Sequence, residues 1–230
     1  MEDIKNQSID WARKNKKDIT KDLLDSSEYA VHEEKLAIFM AGSPGAGKTE
    51  YSTSLASGFD KKPLVIDPDK LRTKFSGYNG ENSSLVQPGV SILVANIFDT
   101  IIRRGHSFIL DGTFNHSSAI SNIERCLDRG YSVQIHYLYQ DPEVAWALTQ
   151  DRETIEGRGI DRDVFIDHFV GSIKNVNLAI SRFDRKIKVA VIVRNYRDEF
   201  ERVIVNEPNI AKYVPNKYNR NDLEKIISHA

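Results

Sequence analysis

The chain has one cysteine in 230 residues, Cys126, so no disulfide can close within it. Net charge is nearly absent: 32 Lys and Arg stand against 33 Asp and Glu, giving -1 overall, without the basic excess of a dedicated nucleic-acid binder. Nucleic acid is therefore not expected as a partner. No unbroken run approaches the roughly 18 apolar residues of a membrane span. The opening MEDIKNQSIDWARKNKK also lacks the apolar core of a signal peptide. The expectation is a cytoplasmic protein with no membrane partner. The six histidines, His32, His106, His116, His136, His168 and His229, show no short ligand spacing, which argues against a metalloenzyme built on protein ligands. His136 lies within a strand pattern and reads as a core residue, whereas His116, just after a strand, is a weak substrate-contact candidate. Internal repeats and low-complexity linkers are missing too. Cys126 falls in a helical pattern with Ile120, Ile123 and Leu127, and reads as a small core residue rather than a nucleophile.

The chain does have the alternation that builds a parallel sheet. Apolar runs at LAIFMAG, PLVIDPD, SFILDGT, VQIHYLYQ and IKVAVIV are separated by helical patterns. Those patterns begin at Lys48, run from about Gly89 to Arg104, cover Ile120 to Arg129, start at Asp141-Pro142, and extend from about Arg162 to Phe183. Right-handed crossovers then give one three-layer α/β domain with a mostly parallel sheet of five or more strands. Residues 1–34 read as an N-terminal helical extension with sparse apolar positions. Residues 196–230 read as a C-terminal helical extension packed on the same domain.

The strongest local signal is Gly42-Ser43-Pro44-Gly45-Ala46-Gly47-Lys48-Thr49, which fits G-x-x-x-x-G-K-[ST] in full between an apolar strand and a helix. Glycines let backbone N–H groups turn inward around a phosphate, and the helix N-terminus adds a positive dipole end. Lys48 would reach the β- and γ-phosphates while the Thr49 hydroxyl holds Mg²⁺. Residues 42–49, with Glu50 directly following, are the candidate nucleotide-binding set, and ATP or GTP with Mg²⁺ are the expected cofactors. The N-K-x-D base motif of a GTPase is missing, as is the apolar run ending in Asp-Glu of a motor ATPase.

Acidic residues stand instead at strand ends. Asp67 and Asp69 close VIDPD and Asp111 closes FILD, with Thr113 beyond it. Ligands of open α/β sheets bind at such carboxyl ends, where a carboxylate can take the proton of an attacking hydroxyl. Asp67 and Asp69 also suit helix caps, and Asp111-Gly112 suits a turn. Asp67, Asp111 and Thr113 are candidate substrate contacts. Arg152 and Arg158, in DRETIEGRGI, would neutralise charge on a moving phosphoryl group, with Gly157 and Gly159 suiting a mobile lid. The same arginines also suit a solvated helix end paired with glutamates.

In their order along the chain, GSPGAGKT, VIDPDKLR, FILDGTF and DRETIEGRGI resemble the zeta-toxin family of P-loop kinases, from about Leu36 to Phe183. The resemblance implies a P-loop kinase domain over residues 35–195. The activity it implies is an ATP- or GTP-dependent kinase of the 3′-hydroxyl of UDP-N-acetylglucosamine, with an antitoxin protein as partner. Lys48 and Thr49 then match the nucleotide loop, Asp69 the catalytic base, Asp111 and Thr113 the substrate block, and Arg152 and Arg158 the γ-phosphate arginines. One departure is plain. Where family members acting on that sugar nucleotide carry a Glu on the helix before the third strand, this chain reads Val94-Ala95-Asn96-Ile97, with Asp99 one turn further on. A kinase of another acceptor (an antibiotic, nucleoside, dinucleotide or RNA end) and a nucleotide-binding regulator without transfer are the alternatives.

Overall fold

Short runs of Val, Ile, Leu and Phe form the strands and longer amphipathic segments the helices. A computed structural model, which describes residues 2–25, 34–157, 159–194, 200–205, 210 and 218–227, joins the strands in one six-stranded sheet. The strands are β1 (Leu36–Ala41), β2 (Leu64–Ile66), β3 (Phe108–Leu110), β4 (Ser132–Tyr139), β5 (Ile187–Arg194) and β6 (Phe200–Val205). Their order is β2-β3-β1-β4-β5-β6, with every pair parallel except the β5–β6 edge. The expected α/β architecture is therefore the one found. The C-terminal segment, read as helical, contributes a strand as well as the helix α8 (Arg220–Ile227).

The remaining helices are α1 (Glu2–Leu24), α2 (Lys48–Ser57), α3 (Pro68–Arg72), α4 (Ser83–Arg104), α5 (Ala119–Leu127), α6 (Pro142–Glu156) and α7 (Arg162–Phe183). The core lies between them and the sheet. Phe39 of β1 and Phe108 of the adjacent β3 pack edge-to-face at 5.8 Å, and Phe108 meets Phe98 of α4 at 5.5 Å. Such contacts are favourable beyond their buried area. Cys126 is in this core, and burial pushes its thiol up to about 12, which leaves it an inert apolar filler at neutral pH. His136 is also a buried structural residue. Its Nδ1 is 2.9 Å from the Tyr51 hydroxyl, and burial lowers its pKa to about 4. Exposed His116 is used locally, accepting the Ser118 N–H at its Nδ1 just before α5.

Helix α4 begins six residues before the expected start at Gly89, and runs through Pro88. Pro88 lies early in the helix, where one intrahelical bond is lost without breaking it. By length and mean hydropathy (1.6), α4 would also pass for a membrane span, although no unbroken apolar run announces it. In the fold it is a core helix with Val90, Leu93, Ile97 and Ile101 buried. Helix α1 covers its outer side through Ser8, Ala12, Thr20 and Leu24, while Trp11 packs tilted against Phe75 at 4.7 Å. Ser8 donates to Leu85 O at 3.4 Å, and Asn96 donates to Thr20 Oγ1 at 3.0 Å.

Gly89 makes this crossing possible. A Cβ there would stand 2.6 Å from the Ser8 carbonyl oxygen and 2.8 Å from the Phe75 ring. Alanine at a helix interior ordinarily gains about 1 kcal/mol over glycine, but backbone on the opposing helix cannot yield as a side-chain tip would. Gly89→Ala is expected to lose about 1–2 kcal/mol net, a sign opposite to the helix-propensity rule, as read by urea unfolding.

Candidate active site

The parallel strands end along one edge of the sheet, and the expected site residues follow those ends. Ile66 pairs with Leu110 and Leu110 with Phe39, so Asp67, Asp111 and the loop after β1 leave three neighbouring strands together. The Asp111 N–H donates to Ile66 O at 2.9 Å, carrying the ladder one residue past the strands.

The loop Gly42–Gly47 turns from β1 into α2. At Gly47, φ is 77°, a left-handed conformation that disfavours any side chain, and a Cβ there would run into the Arg194 guanidinium. At Gly45 a Cβ would strike the Ala145 carbonyl of α6. The Gly42 N–H donates to Ser172 Oγ on α7 at 2.8 Å, with Thr113 O at 3.4 Å on the same hydrogen. Lys48 is half-buried, and its Nζ donates to Ser43 O at 2.5 Å. Burial lowers its pKa to about 8, against the opposing pull of Asp111 and, more weakly, Asp69 and Glu50.

Asp111 is buried behind Lys48, and burial is the chief cause that raises its pKa, countered by the Lys48 charge and a hydrogen bond from Thr49. It also accepts from Ser52 Oγ at 3.3 Å. A buried carboxylate bonded to the Thr49 hydroxyl, at the mouth of a phosphate loop, fits Mg²⁺. That ion takes one or two protein oxygens and fills its shell with water and nucleotide phosphate oxygens. The described residues contain no group of three or more His, Cys, Asp or Glu able to hold a metal alone, so an ion here would rely on the nucleotide as well.

The two carboxylates after β2 are placed differently. Asp67 is buried and caps α3, its Oδ1 accepting from the N–H groups of Asp69 at 2.8 Å and Lys70 at 3.3 Å. Asp69, in the first turn of α3, keeps its side chain 38% exposed and pairs with Arg72. Arg152 reaches in from α6 and donates to Glu50 Oε1 at 2.8 Å, and its charge is felt by Lys48. Thr113 is half-buried on the loop after β3. Arg158 lies outside the described residues.

Three residues at the site went unread in the sequence. Arg194, whose guanidinium lies over Gly47, stands at the carboxyl end of β5, the same strand-end position that singled out Asp67 and Asp111. Ser172 and His168 belong to a stripe of α7 that also carries Gly171, against the Asn115 side chain, and Asn175, which donates to Phe114 O at 2.9 Å. Their spacing of i, i+3, i+4 and i+7 is a helix face, but polar residues at that spacing look like any solvated face until a partner is known. Phe114, held from this stripe, has φ 61°, a strained value for an aromatic residue and a common one beside functional sites.

The model of the family described as zeta toxin matches residues 20–208. The chain belongs to the zeta toxin family. Among curated proteins none matches it. Solved structures resemble this zeta-family chain in fold at low identity. One, from the PezAT chromosomal toxin-antitoxin system of Streptococcus pneumoniae, is 13% identical with a TM-score of 0.68 over 95% of both chains. Another, from the AvrRxo1-ORF1:ORF2 complex with ATP, is 16% identical with a TM-score of 0.58, over 88% of this chain and 65% of that one. A cleft of about 360 Å³ also opens in the zeta-family chain, at the amino-terminal side of the sheet between Lys35, Phe59, Pro63 and Lys188, and no candidate site residue lines it.

Proposed function

We propose that the protein is an Mg²⁺-dependent kinase that transfers the γ-phosphate of ATP or GTP to a hydroxyl of a small metabolite. The observation that carries this reading is the partly exposed carboxylate of Asp69, near a phosphate loop whose lysine and threonine face Asp111. The family supports the phosphotransferase class, and the ATP present with a structural neighbour supports the nucleotide. Asp69 takes the proton of the acceptor hydroxyl as its oxygen bonds to the γ-phosphorus. The bond from that phosphorus to the bridging oxygen breaks, and the diphosphate leaves. Lys48 and Arg152, with Arg158, balance charge on the moving group. Thr49 and Asp111 would hold the magnesium ion, which supplies further neutralisation of the phosphates.

UDP-N-acetylglucosamine is the acceptor that the zeta-family resemblance favours. A different hydroxyl acceptor is the second reading, favoured by the lack of a carboxylate at Val94–Ile97. Asn96 is bonded to Thr20 of α1, and Asp99 is paired with Arg125 of α5, so neither is held by site residues. A separate antitoxin is part of the proposal, because α1 is packed along α4 rather than on the phosphate loop. The test is incubation of purified protein with Mg-ATP and UDP-N-acetylglucosamine, followed by mass spectrometry. A phosphorylated sugar nucleotide is expected. Its absence, with phosphate appearing on another metabolite of a cell extract, selects the second reading, and no transfer to any acceptor sinks the kinase.

A further inference from the structure

Helix α3 is only five residues long, yet it holds a connected set of polar groups. Asp69 in its first turn and Arg72 at its end are three residues apart, and so share a face. Arg72 donates from Nη1 to Asp69 Oδ1 and from Nη2 to Gln87 Oε1 on α4. A guanidinium accepts nothing, so only the amide oxygen of Gln87 can face it. The Gln87 amide nitrogen then donates to Ser91 Oγ at 3.3 Å, and that hydroxyl donates to Gln87 O at 3.0 Å. Exposed ion pairs on helices contribute little. Here the arginine side chain is only 19% exposed and is braced from a second helix, an arrangement that costs conformational freedom.

Two polar atoms, one on Arg72 and one on His168 of α7, are left unsatisfied by the described residues. Arg72 Nε and His168 Nδ1 are both buried with no hydrogen-bond partner. His168 lies on the α7 stripe whose Ser172 and Asn175 hold the phosphate loop and the loop after β3, and its pKa is lowered by burial first and then by the charges of Lys48 and Arg72. Orphaned buried polar atoms are uncommon in folded proteins and call for a specific explanation. Arg72 Nε belongs to the guanidinium that holds the Asp69 carboxylate, and the charge of that guanidinium is felt at His168.

Resting on the kinase reading, we infer that Arg72 is a positioning residue that fixes the Asp69 carboxylate, and that an oxygen of the acceptor docks against Arg72 Nε and His168 Nδ1. With one carboxylate oxygen tied to a braced guanidinium, the plane of the base is set before the acceptor arrives, which is where positioning of reacting groups contributes to rate. An acceptor that fits this corner carries a second oxygen near the hydroxyl it presents to Asp69.

The test measures transfer from γ-labelled ATP to UDP-N-acetylglucosamine, and to the small-molecule fraction of a cell extract, alongside ATP affinity and thermal melting. Arg72→Ala is expected to lower kcat about 10²-fold with ATP affinity within about twofold of the parent, and Arg72→Lys to recover part of the loss. Added to Asp69→Asn, the same Arg72→Ala change should cost less than about threefold more, since a positioning group has nothing left to position. His168→Ala should raise the acceptor KM about tenfold with a smaller change in kcat. A full additional loss in the double variant, or loss of ATP binding with Arg72→Ala, marks Arg72 as structural and overturns the inference alone. An unmoved acceptor KM in His168→Ala overturns the docking corner. No transfer by the parent protein overturns the kinase reading beneath both.

Discussion

Asp69→Asn is expected to lower phosphate transfer about 10³-fold while ATP affinity stays within about threefold of the parent. The substitution keeps shape and keeps an oxygen to accept from Arg72, so α3 and its brace to Gln87 survive. It removes the capacity to take the acceptor proton. Asp67 supplies the contrast. Its Oδ1 already accepts two backbone N–H groups at the start of α3, so it acts first as a cap. Asp67→Ala should cost about 1 kcal/mol of stability, and Asp67→Asn much less, with a smaller loss of rate than Asp69→Asn in either case. Calorimetric titration with ATP and a steady-state transfer assay on the same preparations separate binding from chemistry. Equal rates for the parent and Asp69→Asn would remove Asp69 as the base. Unchanged biological output from that variant would favour a nucleotide-binding regulator.

The candidate site is legible in the sequence where its proposed chemistry is local to a strand end. The loop from Gly42 to Thr49 announces itself because one short segment supplies the turn, the cation and the hydroxyl. Asp67, Asp69 and Asp111 are visible for a related reason: in a parallel sheet, the residue after each strand is delivered to the same edge. The unread parts depend on distant partners. Arg72 looks like any basic residue ending a helical turn until Gln87, fifteen positions on, is placed against it. Gly89 looks like a helix breaker next to Pro88, and only the crossing of α1 explains why glycine stands there. Strand β6 was hidden because FERVIV carries Glu201 and Arg202 within a short run. Charges are common on edge strands, where they discourage pairing with other chains.

Affinity for Mg-ATP is expected to hold nearly level up to about pH 8 and then to fall, approaching tenfold per pH unit, because Lys48 loses its proton there. The cause is burial. An ammonium drawn out of water is disfavoured, and the carboxylates of Asp111, Asp69 and Glu50 restore only part of what is lost, with Arg152 opposing them. Triphosphate brings the negative charge that the protonated form needs, so the nucleotide binds the charged lysine and its affinity must decline as that form is depleted. Folding follows the opposite sign. An unfolded lysine titrates near 10.5 and the folded one near 8, so between these values the unfolded chain holds more protons and the unliganded protein gains stability as pH rises. Weakened binding above pH 8 is therefore not a symptom of unfolding, and melts recorded beside the titrations will separate the two. Lys48→Ala should bind Mg-ATP about 10²-fold more weakly at pH 7 and show no further decline from pH 8 to 9.5, whereas an unchanged slope in that variant would assign the titration to another group.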